Sequence, residues 1–356
     1  MTALRFSGPV LPSDEVRDVY VVDGRITYEP QPGAETVARG WIVPGLVDAH
    51  NHLGLDDGGA VPDDEIERQA LADRDTGVLL TRDCGSPADT RWVQDREDLP
   101  RLVRCGRHLA RTKRYIRNYG HEVEPDELPA YAAREARDGD GWIKLVGDWI
   151  SRDDGDLQPS FPTETFAAAI EAAHAEGAKV TAHCFGHDVL QGLLDAGIDC
   201  IEHGTGLDLD QVQQMADAGV ALVPTVQQTS KFPDYVAAAR EKFPAYATTM
   251  EGLHARRRET LMSAYEAGVP LFVGSDGGGV TRHGDLVGEI LAMADMGVPA
   301  GDVLAAVSWR GRAWLGFPGT EEGAAADFVV LDGDPRSDLS VLGRPSRVVL
   351  RGRVVA

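Results

Sequence analysis

The chain has 356 residues, 57 of them acidic and 35 basic, for a formal net charge of −22. That length can bury a large core, in one large domain or two smaller ones, and a hydrophobic share of 43% excludes a disordered or low-complexity protein. The charge repels phosphate backbones and anionic lipid, which argues against nucleic-acid and membrane-surface partners and leaves solubility as its plainest role.

In chain order, the first forty residues read as short strands. Residues 19–22 and 25–27 flank Asp23-Gly24, a hairpin signal. The middle alternates between apolar strand-like segments and helical ones. Strands are predicted at 41–52, 77–84, 102–109, 142–146, 179–184, 200–203, 221–226 and 270–275, with helices at 164–176 and 210–218 among those between them. Eight βα units with buried parallel strands predict an α/β fold, a (β/α)8 TIM barrel over 44–318. An open doubly wound sheet is weakened because no G-x-G-x-x-G follows the first strand. Segment 230–268, with Phe232, Tyr235, Phe243 and Tyr246, reads as a lid, a pocket wall or an extended barrel helix. The last thirty residues are β-rich again, and neither end holds enough strands for a core. Residues 1–43 and 319–356 are therefore predicted to pack together as one small β-sandwich domain.

Four cysteines, Cys84, Cys105, Cys184 and Cys200, form no CxxC pair and are expected as buried small hydrophobes. No apolar run approaches the roughly 20 residues of a membrane span, and the N-terminus lacks the apolar stretch of a signal peptide. A reducing cytoplasm is the expected compartment.

Ligand-type residues gather at the predicted C-terminal strand ends, where barrel active sites are built. His50 and His52 alternate along the first strand, so they point to one side and can hold one ion together. By themselves they are equally a satisfied polar pair. Lys144 stands among Trp142, Ile143, Leu145 and Val146, and the chain has only five lysines beside thirty arginines. An ammonium in such a place must pair, lose its proton or be modified. A neutral lysine can take up carbon dioxide as a carbamate, which bridges two metal ions. On this segment alone, pairing with Asp148 or snorkelling outward is the stronger reading. His183 and His203 end the fifth and sixth strands. Asp276 ends the eighth, ahead of three glycines, where a turn or cap aspartate would also stand. Together these residues suit two borderline divalent ions such as Zn2+, sharing a hydroxide and polarising a carbonyl.

The run Pro44-Gly45-Leu46-Val47-Asp48-Ala49-His50-Asn51-His52, with Lys144, His183, Ile201-Glu202-His203-Gly204, Gly274-Ser275-Asp276 and the closing segment 326–335, resembles the amidohydrolase superfamily over nearly the whole chain. Within it the chain is most similar to imidazolonepropionase-like hydrolases, including Xaa-Pro dipeptidase (prolidase) relatives. The resemblance implies that His50, His52 and Asp276 hold one ion and His183 and His203 the other, with carboxylated Lys144 as the bridge. Zn2+ is foremost, and Mn2+, Co2+ and Fe2+ suit similar ligands. The implied reaction is hydrolysis of a linear or cyclic amide: a dipeptide, an N-acyl amino acid or an imidazolone-type substrate. A metal-bridging hydroxide attacks, and Asp276 serves as general base and then protonates the leaving nitrogen.

Where such relatives carry Gly-Gly-His after the third strand, this chain has Asn118-Tyr119-Gly120-His121. His121, Tyr115 and His283 are the candidate substrate-binding residues. His108, His174, His187 and His254 belong to no constellation and are expected to be structural or on the surface. A mononuclear heterocycle deaminase is the competing enzyme, disfavoured because no glutamate follows His183 in Cys184-Phe185-Gly186-His187. A non-catalytic barrel is disfavoured because every ligand position is filled. The expected partner is a small-molecule amide, with no nucleic acid and no membrane; homo-oligomer formation stays open.

Overall fold

The computed structural model describes residues 3–279 and 281–356. Strands from both chain ends share one sheet, in the order Arg353–Val354, Arg347–Leu350, Phe328–Leu331, Trp41–Pro44, Leu4–Val10, Glu15–Val22 and Arg25–Thr27, with Glu35–Arg39 on Leu4–Val10. The hairpin at Asp23-Gly24 has φ of 47° and 78°, the positive pair that a tight two-residue turn requires. The sheet curls, so that Arg25 bridges to Ala325. Phe6, Val19, Ile26, Ile42, Phe328 and Val349 fill its inner face, and the rings of Phe6 and Phe328 meet edge to face at 4.9 Å. Asp327 ties this sheet to the rest of the chain. Its carboxylate takes hydrogen bonds from Arg101 Nε at 2.6 Å and the Arg351 N–H at 2.7 Å, with buried Arg312 at 3.4 Å.

The central strands pair in parallel in two sheets. One holds Leu46–Asn51, Val78–Asp83 and Arg101–Arg104. The other runs His121–Val123, Leu109–Arg111, Trp142–Val146, Lys179–Cys184, Cys200–His203 and Ala221–Val223. Their residues are almost all buried, and helices such as Leu128–Asp138, Thr163–Ala175 and Leu209–Ala218 pack their apolar stripes against them. Mixed α/β architecture follows directly from this alternation.

Four predicted strands depart from expectation. Residues 41–52 divide at Gly45 into Trp41–Pro44 and Leu46–Asn51, which join different sheets. Residues 102–109 divide into two strands, because Gly106 turns the chain at φ 72° where a Cβ would meet Glu135. The seventh strand stops at Val223, since Pro224 has no N–H and Thr225 takes φ 42°. Residues 270–275 form one bridge, Leu271 to Leu222, rather than a ladder. This segment still joins both neighbours, through Phe272 N–H to Leu222 O at 3.1 Å and Ala49 N–H to Val273 O at 2.8 Å. Regular pairing fails where Gly274 presses on the first strand: a Cβ there would lie 2.4 Å from His50 Cβ.

Segment 230–268 is helical, as Phe232–Ala239 and Pro244–Glu266, and Phe232 packs on Phe185 with ring centroids 4.7 Å apart. All four cysteines are buried and free. No helix among the described residues is long and apolar enough to cross a membrane.

Two glycine variants test this packing. Gly274→Ala should lower stability by about 1–3 kcal/mol through overpacking. Gly252→Ala, in the Pro244–Glu266 helix with nothing within 4 Å of the new methyl, should raise it by about 0.5–1 kcal/mol. Thermal melts of the two proteins should move in opposite directions.

Candidate metal centre and active site

Three donor atoms meet where the first strand reaches the 270–276 segment. His50 Nε2, His52 Nε2 and Asp276 Oδ1 each lie 3.1 Å from the other two. Metal bonds of about 2.0–2.1 Å in a tetrahedron put ligand atoms roughly 3.3 Å apart, so this trio suits one divalent cation. Local structure fixes each donor. His52 Nδ1 lies 2.8 Å from the Gly85 carbonyl, which can only accept, so Nδ1 carries the proton and Nε2 presents its lone pair. Asp276 sits at φ 55°, a left-handed conformation uncommon outside glycine, with its N–H on His50 O at 2.8 Å. Its neighbour Ser275 donates N–H and O–H to buried Asp48, at 3.0 and 2.5 Å. Burial pushes the Asp48 carboxyl up to about 6.

A second pair stands beside this trio. His183 Nδ1 and His203 Nε2 are 2.9 Å apart, and His203 Nδ1 is 2.6 Å from Thr225 Oγ1. His203 at φ 64° and Thr225 at φ 42° hold strained backbone at a site, as functional strand ends often do. Burial keeps these imidazoles neutral: His203 is pushed down to about 3, His183 falls well below its ordinary value, and His50 is also lowered. Neutral imidazole is the metal-binding form. Burial works upward on Asp276, but its contacts with His50 and His52 hold it well below the usual carboxylate range.

Lys144 is buried and contacts Glu202, not Asp148. Asp148 instead accepts the N–H groups of Phe185 and Gly186 at 3.0 and 2.5 Å. Glu202 also takes a hydrogen bond from Thr181 Oγ1 at 2.8 Å and lies 3.6 Å from both His50 Nδ1 and Arg82 Nη2. Its carboxylate, with His50 and His203, forms a further candidate ligand group. Burial alone would raise the Glu202 carboxyl, yet His50, Lys144 and Arg82 hold it well below its ordinary range. Burial lowers the Lys144 ammonium, and Glu202 reverses that to leave it above its ordinary value. Sequence reading gave Glu202 no role. Its own segment held no signal for one: the parallel register that puts it beside His183, and so points it inward, is set by the fold.

A cavity of about 370 Å3 opens on these residues and is lined by His50, His52, Lys144, His183, His203 and Asp276. Tyr115 also lines it, whereas His121 and His283 do not. His121 turns to Glu135 and Arg134, at 3.2 and 3.0 Å. His283 sits behind the site, 2.9 Å from Asp73 and 3.4 Å from Asn51. His108 is fully buried and stacks on His52 at 5.0 Å, with neither ring nitrogen partnered among the described residues, so it supports the His52 ring.

Similarity to known proteins agrees with this geometry. The model of the Amidohydrolase family matches residues 149–355. Uncharacterized proteins Mb2939c of Mycobacterium bovis and Rv2915c of Mycobacterium tuberculosis are each 50% identical over 352 residues, covering 98% of this chain and 95% of theirs. Among solved structures, an Xaa-Pro dipeptidase with methionine in its active site superposes with TM-score 0.83 at 23% identity, covering 99% of both chains. A prolidase complexed with N-methylphosphonate-L-proline gives 0.80 at 22%, with 99% of both covered. Ochratoxinase of A. niger gives 0.79 at 19%, covering 99% of this chain and 96% of that one.

Removing one member of the buried charge cluster strands the others. Glu202→Gln should cost about 3–5 kcal/mol in denaturant unfolding of the metal-free protein. Adding Lys144→Met should recover part of that loss, which a double-mutant cycle reads as coupling.

Proposed function

The chain belongs to the amidohydrolase family and is a hydrolase acting on carbon–nitrogen bonds, and from that premise we propose that it cleaves an amide at a binuclear metal centre. The convergence of His50, His52 and Asp276 donors within 3.1 Å carries this reading. These three would hold one ion, and His183 with His203 the other. Lys144, as a carbamate, would bridge them, with Zn2+ the foremost metal. Bound ions of this kind supply Lewis acidity toward a carbonyl oxygen and lower the pKa of water.

The chain's own residues then have defined tasks. Asp276 takes a proton from the attacking water and passes it to the departing nitrogen. Burial keeps the Tyr115 phenol protonated, so its hydroxyl can donate to a substrate in the cavity. Carboxylation turns Lys144 from cation to anion, after which Arg82 remains as the counter-charge of Glu202. Similarity to an Xaa-Pro dipeptidase favours a linear amide over a cyclic one. We also infer that the parallel strands close as a (β/α)8 barrel over 44–318, with 1–43 and 319–356 as the accompanying small β-sandwich domain. Backbone hydrogen bonds on both sides of 270–276 support that closure.

Metal content decides the centre. Protein purified without chelators should carry about two divalent ions per chain by elemental mass spectrometry. Exhaustive chelation should abolish amide hydrolysis, and Zn2+ with bicarbonate should restore it. Lys144→Ala should lower occupancy to one ion or fewer and activity by more than about 100-fold. A single ion that persists after metal and bicarbonate are supplied would sink the binuclear centre.

A further inference from the structure

The cavity's walls differ in chemistry from its ligand set. Among the described lining residues, every charged or imidazole group is one of the six proposed ligands, and none is an arginine. The remaining wall is dominated by Ile116, Trp149, Ile150, Phe185, Tyr235 and Tyr246. Ile116 is exposed, so an apolar side chain also meets solvent there. Arg114, next to Tyr115, gives its guanidinium to the carbonyls of Trp149 and Gln158, at 3.2 and 3.1 Å. Gln228 is the one amide side chain in the wall among the described residues. Its Nε2 donates to the Tyr235 hydroxyl at 3.0 Å, and its buried Oε1 has no partner among them. A buried carbonyl oxygen of this kind calls for an N–H or O–H donor and repels a carboxylate.

We propose that the substrate is an uncharged amide carrying an aromatic or branched aliphatic group, whose N–H or O–H donor meets Gln228 Oε1, and that free dipeptides and N-acyl amino acids are poor substrates. This rests on the proposed amide hydrolysis and narrows it. A carboxylate held in this wall would be desolvated with no guanidinium fork to receive it. The chain's net charge of −22 opposes the approach of anions as well. An aryl or branched alkyl group instead buries apolar surface against the aromatic wall.

The test compares three substrates with metal-loaded enzyme: N-phenylbutanamide, its ring-carboxylated analogue 4-(butanoylamino)benzoate, and Leu-Pro. The neutral anilide should exceed both others in kcat/KM by about tenfold or more, the ratio that corresponds to 1.4 kcal/mol. Ile150→Arg should shrink the preference over the ring carboxylate by a similar factor, by raising kcat/KM for the acid. Equal rates, preference for a carboxylate-bearing substrate, or an unchanged ratio in Ile150→Arg would overturn the inference while amide hydrolysis stands. No turnover of any of the three by fully loaded protein would overturn amide hydrolysis and the inference together.

Discussion

Three charges buried with almost no water, those of Arg82, Lys144 and Glu202, constrain everything around them. They come from three different strands, Val78–Asp83, Trp142–Val146 and Cys200–His203. Glu202 reaches both cations only in the observed register, in which Lys144 lies beside Thr181 and Glu202 beside His183. The Arg82 guanidinium also lies over the rings of Trp142 and Trp314, at 4.6 and 4.8 Å, and its Nε donates to Ala49 O at 2.7 Å. Desolvated charges tolerate no slippage, because a shifted partner leaves an uncompensated ion. The cluster therefore fixes the depth at which His50 and His183 present their rings.

Around that floor, the donor atoms are held by strain and by a polar network behind them. Left-handed backbone at His203, Thr225 and Asp276 is tolerated because neighbouring bonds over-determine it. Asp48 anchors Ser275 on one side and Asn51 on the other, and Asn51 passes the network to Asp73 and His283. His283 is thus part of the scaffold that keeps Asp276 beside the histidines. Such outer contacts set ring orientation and tautomer at metal sites.

The cavity above is shaped by a different part of the chain. The helices Val226–Thr229, Phe232–Ala239 and Pro244–Glu266 bring Gln228, Tyr235, Ala238 and Tyr246 to its wall, the hairpin strand Asp148–Ser151 brings Trp149 and Ile150, and the segment after Leu109–Arg111 brings Tyr115 and Ile116. The donor cluster at the floor and the wall above it thus come from separate segments, a division that lets one vary without the other.

Much of this was legible in the sequence. Alternation along a strand put His50 and His52 on one side, and apolar runs ending in His183, His203 and Asp276 marked the strand ends, because a buried parallel strand has a period of two and a continuous apolar character. The loops gave no such period. His108 falls at the end of the third predicted strand and His121 beyond it, and nothing in their neighbours indicated that His108 would stack on His52 while His121 turned to Glu135. The ion pair of Lys144 was equally hidden: Asp148 is near in sequence, yet Glu202, 58 residues away, is the partner. Local periodicity reports which way a side chain points. Which charge it meets, and what lines the space in front of it, depends on segments that only the folded chain brings together.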